Sequence, residues 1–212
     1  MESWKVIEPY VLNVVPVLFF MALVFTLLRR KQGLMAWKSF ALTHGLSHRP
    51  PETATFFSKR AAIAFRDPGE VHGQIEGLPF RLYVAIYGTS KDRRIFTIMS
   101  VEIPGLPPGL TIYHENLFLK FTKMLGAQDV TTGDPGFDAA FVVKGNDPAA
   151  VLNWLNPQRR QAILHHIGDA SDIDIREGRL QFQRGQIVDN REILDDCYGK
   201  MQLLVSSLQP SF

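Results

Sequence analysis

The side chains able to ligate a metal, move a proton or attack a substrate are few in this sequence, and their spacings work against them. Of the six histidines, His44 and His48 stand four apart, a separation that can place two side chains on one helical face. Gly45 and Ser47 lie between them at an expected helix end, however, and the glutamate of the zinc-protease pattern is absent. His165 and His166 are adjacent, so on a helix they diverge by ~100° and cannot readily share one ion. Asp169, Asp172 and Asp174 lack the glycine and terminal glutamate with which an EF-hand loop wraps calcium, and read as a solvated strand edge. In "YGTSKDRR" the residues Gly88, Ser90 and Lys91 imitate a phosphate loop. A working loop gathers several glycine amides at a helix N-terminus, whereas strands flank this one. It reads as a hairpin tip with Lys91, Arg93 and Arg94 as an exposed basic spot. No G-x-S-x-G elbow occurs, and Cys197 sits on the apolar stripe of a helix, as a buried and unreactive thiol would. These residues assign no catalytic group, no metal ligand and no cofactor.

The elements that would position any site begin with "PYVLNVVPVLFFMALVFTLLRRKQG". From Tyr10 to Leu28 there are 19 residues without a charge, and at ~1.5 Å each they form a helix of ~28 Å against a hydrocarbon core of ~30 Å. The run therefore predicts a transmembrane helix over 10–28, with 1–9 as a short extracytoplasmic N-terminus. A cleaved secretory signal would want a basic start, a shorter apolar run and a small-residue cleavage site, none of which is present. Arg29, Arg30 and Lys31 close the run, and the positive-inside rule puts that side in the cytoplasm of a bacterial inner membrane. The same cluster would meet the anionic headgroups of the bilayer at ~1 kcal/mol per residue. Asn13 and Pro16 are candidate contacts to a neighbouring helix.

Charge narrows the partners further. The formal net charge is +2, and Lys5, Arg29, Arg30 and Lys31 set against Glu2 and Glu8 account for it, so residues 32–212 are formally neutral. A neutral domain lacks the electrostatic footprint of nucleic-acid binding. The single cysteine forbids an internal disulfide, in keeping with a reducing compartment.

Residues 29–69 read as a juxtamembrane helix and linker: "QGLMAWKSFALTHG" has helical apolar spacing to Gly45, and "SHRPPE" breaks regular structure. Residues 70–212 read as a cytoplasmic α+β domain. "PFRLYVAIYG" alternates with a period of two, and "EVHGQIEG", "RRIFTIMSVEI" and "GLTIYH" supply further strands of an antiparallel meander. "ENLFLKFTKMLG" has helical period, "FDAAFVVKG" reads as a strand, and Asp147–Pro148 and Asn156–Pro157 each open a short helix. "DIDIREGRLQFQ" is a hairpin turning at Glu177–Gly178, pairing Ile175 with Leu180 and Ile173 with Phe182. Ile193, Cys197, Met201, Leu204 and Leu208 trace one stripe of a final helix. The fold class is thus α+β: one N-terminal transmembrane helix, then a domain whose antiparallel sheet is packed by helices.

"TGDPGFDAAFVVKGNDPAAVLNWLNPQRRQAIL" followed by "IDIREGRLQF", within residues 132–183, resembles a set of uncharacterised bacterial membrane-anchored α+β proteins, in which an F-D-x-x-F-x-V-x-G strand precedes two short helices. That resemblance implies a bacterial origin and a shared domain, and brings no site residues. The layout of external N-terminus, one helix and a largely β cytoplasmic domain is similar to the H subunit of purple bacterial reaction centres. The expectation is a non-catalytic accessory subunit docked on integral membrane proteins of a larger complex, respiratory or photosynthetic, with Tyr83 and Tyr87 on a candidate interaction face. The alternative is a membrane-tethered enzyme or small-ligand sensor with a pocket drawing on His72, Arg81, Tyr83 and His114.

Overall fold

The computed structural model describes residues 3–51, 63, 66–88, 91–114, 128–167 and 172–209, with the side chains of 3–13 and 30 left out. The helix expected over 115–126 lies outside the described residues. The first element is one uninterrupted helix, α1 (Ser3–Thr43), 41 residues long. It joins the apolar run to the amphipathic segment that follows without a break. Its end is set by Gly45 at φ 65°, where Leu46 N–H reaches back to the Ala41 carbonyl at 2.8 Å, satisfying a terminal carbonyl as a left-handed glycine cap does.

This corrects the expected transmembrane span. Among the described residues no helix is long and apolar enough to cross a membrane. The described apolar side chains of α1 run from Val14 to Leu28, ~22 Å of helix at 1.5 Å per residue against a hydrocarbon core of ~30 Å. Beyond Gly33 the helix belongs to the domain: Ala36, Trp37, Phe40 and Ala41 are buried in the same core as the sheet.

Among the described residues the sheet has nine strands in the order β1-β2-β3-β4-β9-β8-β5-β7-β6, and the observed pairs are antiparallel. β1 (Ser47–Arg49), β2 (Glu70–Ile75), β3 (Leu78–Tyr87) and β4 (Arg94–Glu102) form a meander. β5 (Thr111–His114) does not extend it, because the hairpin β8 (Ile173–Arg176) and β9 (Arg179–Arg184) inserts between. That hairpin has the predicted register, Ile175 opposite Leu180 and Ile173 opposite Phe182. Its turn is Glu177 and Gly178, both at positive φ (51° and 76°), as a two-residue turn between right-twisted strands requires. β6 (Gln128–Asp129) and β7 (Phe141–Gly145) complete the far edge. "FDAAFVVKG", expected as strand throughout, starts in a short helix, α2 (Pro135–Ala140), because Asp134 accepts from the amides of Gly136 and Phe137 and Pro135 opens the turn.

Helices cover one face of the sheet. Phe80, Leu82 and Val84 of β3 point to it, where Phe40 of α1 meets Phe80 tilted and Tyr198 of α5 (Arg191–Leu208) meets it edge-on, at 6.5 and 5.4 Å between ring centres. α3 (Pro148–Trp154) and α4 (Pro157–Ile167) extend the layer over β7, with caps at Asp147 and Asn156 as predicted. Cys197 is buried in this layer, and burial pushes its thiol from 9.0 up to about 11. Alkylation by iodoacetamide at pH 8 is expected to be negligible in the native protein and complete in denaturant. Because folding raises this pKa, the stabilisation is fully present below pH 9 and is lost as pH rises toward about 11, which thermal unfolding across that window reads.

Candidate functional site: an apolar rod clamped to the domain

The feature that most needs explaining is the described apolar stretch of α1. Phe19 is 73 % exposed, Phe20 64 % and Leu28 61 %, and Val14, Val15, Val17, Leu18, Met21, Leu23, Phe25 and Leu27 are exposed with them. At 100° per residue these positions cover every side of the helix, so no single docking face accounts for them. The exposed area is on the order of 1,000 Å², whereas the largest apolar patch of an ordinary monomer is a few hundred. At ~25 cal/mol per Å² its contact with water would cost ~25 kcal/mol. Thr26 is the polar exception, and its hydroxyl donates to the Ala22 carbonyl at 2.7 Å, so it asks nothing of the surroundings. Pro16 is exposed on the same rod and Lys31 at its base. The side chains of Tyr10, Asn13 and Arg30 lie outside the described residues.

What holds this rod is spread across the chain. Trp37 is fully buried and its indole N–H donates to the Val188 carbonyl at 2.8 Å. Arg191 donates to Ser39 Oγ and Thr43 Oγ1, both at 2.9 Å, and pairs with Asp195 at 3.1 Å. Asp195 also meets His44 Nε2 at 2.9 Å, and the His44 ring stacks against Tyr198 with centres 4.2 Å apart. At the root of the rod Arg29 lies over the Phe25 ring and pairs with Asp189 at 3.4 Å. Phe25, Thr26 and Arg29 line a small cavity of ≈ 120 Å³ with Arg66. Val188, Asp189, Arg191, Asp195 and Arg66 escaped the sequence reading because no local spacing marks them: Arg29 and Asp189 are 160 residues apart.

The other sequence candidates fare differently. His72 lies opposite Arg81 across β2–β3, and Glu70 holds both, at 3.2 and 3.5 Å. The Arg81 guanidinium lies over the Tyr83 ring at 5.3 Å. His114, two residues beyond the core-facing Ile112, shares its helix-covered side of the sheet and packs on Phe141, whereas His72, Arg81 and Tyr83 lie on the other side, so the four do not converge. The cleft at Arg81, Tyr83, Ser100 and Arg179 encloses ≈ 20 Å³, room for about one water. A broader groove of ≈ 670 Å³ between α4 and α5 is lined by Arg159, His165, His166, Ser206 and Ser207. Both serine hydroxyls donate to backbone carbonyls of their own helix, so neither is paired with a histidine as a nucleophile would be.

The proposed interaction face also needs revising. Ile98, Gln181 and Asp174, on the same side of the sheet as Tyr83, are buried. Tyr83 is half-buried, and its phenol pKa is raised, first by burial and then by Tyr87. Only Tyr87, 49 % exposed and edge-on to Phe96, stands at the surface. The acidic trio is no solvated edge: Asp174 pairs with Arg176 at 3.2 Å in the interior and Asp172 with Arg184 at 2.8 Å, while Asp169 lies outside the described residues. Among the described residues no group of three histidine, cysteine or acidic side chains is placed to hold a metal.

No protein-family model matches the chain, and no curated protein matches it. Among solved structures it is similar to the mycobacterial trehalose monomycolate transport factor A, TtfA, with a TM-score of 0.49 and 14 % identity, over 86 % of this chain and 99 % of that one. A likeness at that level assigns no function.

Proposed function

We propose that this protein is a membrane-associated, non-catalytic accessory protein of bacteria, in which the exposed apolar surface of α1 holds the chain at a membrane and the α+β domain is presented beside it to integral membrane proteins. The observation that carries this reading is the apolar surface of α1, exposed on every side and rigidly clamped to the domain at its base. A surface of that size and shape is stable only where hydrocarbon or apolar protein surrounds it. A rigid clamp fixes where the domain sits relative to that surface, which is what an accessory subunit has to do. The described residues give no support to the respiratory or photosynthetic setting expected from the layout.

The test is fractionation of cells producing the full chain with a C-terminal tag. The expected result is recovery with membranes through a high-salt wash, and co-purification with a defined set of membrane proteins after mild detergent extraction. Recovery in the supernatant without detergent would overturn the reading.

A further inference from the structure

We propose that the β3–β4 hairpin tip is a second membrane contact, in which Lys91, Arg93 and Arg94 bind the phosphates of anionic lipid headgroups while Tyr87 and Phe96 lie at the interface; this rests on the membrane-associated reading of α1. The tip was legible in the sequence only as an exposed basic spot. The tertiary structure places it at the end of the domain from which the rod leaves. Phe40 of α1 lies against Phe80. One turn nearer the rod, Trp37 binds Val188, whose amide donates to Thr97 Oγ1, and Thr97 is the cross-strand partner of Val84. Nearer still, Arg29 binds Asp189. Following α1 from residue 40 back to 29 therefore follows β3 from residue 80 through 84 toward its end at 87.

Gly88 has φ 85°, and a Cβ there would run into the Asp92 carbonyl, so the backbone at 88 comes close to that at 92. Lys91, Arg93 and Arg94 are exposed, with Asp92 the acid between them. Tyr87 and Phe96 stand edge to face at 5.5 Å on the outer side of the same hairpin. Lys31 and Arg66 lie at the root of the rod beside the Arg29–Asp189 pair, so basic side chains of three separate segments point toward this end of a formally neutral domain, with Asp189 answering one of them. A plane of anionic headgroups around an apolar rod is the surface that such an arrangement complements, with aromatic rings favoured at the same depth. An acidic protein face would complement the charge but gives no reason for it to lie at the end from which an apolar rod leaves.

The full chain carrying Asp92→Cys, labelled there with an environment-sensitive fluorophore while Cys197 stays buried, reports on the tip directly. It is reconstituted into vesicles of phosphatidylcholine alone or with phosphatidylglycerol, each containing a headgroup-attached nitroxide quencher. The expected result is protein in the vesicle fraction with both lipids, and quenching of the probe that is strong with phosphatidylglycerol. Lys91→Gln, Arg93→Gln and Arg94→Gln together should return the probe to its unquenched, water-like emission. Protein in the vesicle fraction with an unquenched probe in both lipids overturns the tip contact and leaves the membrane reading standing. Quenching that survives the triple neutralisation overturns the assignment to these three side chains. Absence from the vesicle fraction with both lipids sinks the membrane reading itself, and the tip contact with it.

Discussion

Replacing Phe19, Phe20 and Leu23 together with serine is expected to release the protein from membranes while leaving its domain folded. The three side chains are 73 %, 64 % and 46 % exposed, so the domain's own packing barely uses them. Serine and phenylalanine have similar helix propensities, and α1 should persist. Transfer of each large apolar side chain out of water is worth ~2 kcal/mol, so the set contributes ~6 kcal/mol, on the order of 10,000-fold in partition. Quantifying the tagged chain in membrane and supernatant fractions measures the first effect, and its thermal midpoint measures the second. Retention at the membrane with a folded domain would mean that something other than this stretch holds it there.

The largest effect on stability is expected from Trp37→Ala. The indole is fully buried, between the helical layer and the 187–190 segment, and its N–H is the donor to the Val188 carbonyl. Truncation of a buried tryptophan costs roughly 3–5 kcal/mol, out of a total stability of about 5–15 kcal/mol for a domain. Trp37→Phe keeps most of the packing and leaves the carbonyl without that donor, for roughly 1–3 kcal/mol. Denaturant unfolding should rank the two variants in that order. Because the same side chain fastens α1 to the segment carrying Asp189 and Arg191, Trp37→Ala should also open the chain near residues 187–190 to limited proteolysis before the rest unfolds. Equal protection of that segment in the variant and the native protein would deny Trp37 its role in the clamp.

Much of the fold is written in local pattern. The β8–β9 register follows from the positions of Ile173, Ile175, Leu180 and Phe182 relative to a Glu-Gly turn. The openings of α3 and α4 follow from Asp-Pro and Asn-Pro, and the buried stripe of α5 from its 3.6-residue period, although Ile193 is only half-buried and Leu194 takes its place in the core. Such features rest on residues within a few positions of one another, so their physics is complete in a short window. Where two local signals competed, the weaker period lost: in "FDAAFVVKG" an aspartate cap and a proline outweighed the apolar alternation, and the first residues became helix.

The sequence by itself determined that the chain builds an antiparallel sheet with helices, that one end carries an unusually apolar helix bordered by basic residues, and that no familiar catalytic spacing is present. Each of these depends on composition or on neighbours along the chain. Only the tertiary structure decided that the apolar and amphipathic segments are one continuous helix, that β9 and not β5 lies beside β4, that Asp174 is buried with Arg176, and that Arg191 and Asp189 fasten α1. Strand order and ion pairs between distant residues are chosen by which hydrophobic faces close on one another, and that choice is made by the whole chain at once. The route from α1 to the β3–β4 hairpin belongs to the same class: Trp37 reaches Thr97 only through Val188, a residue 151 positions away in the chain.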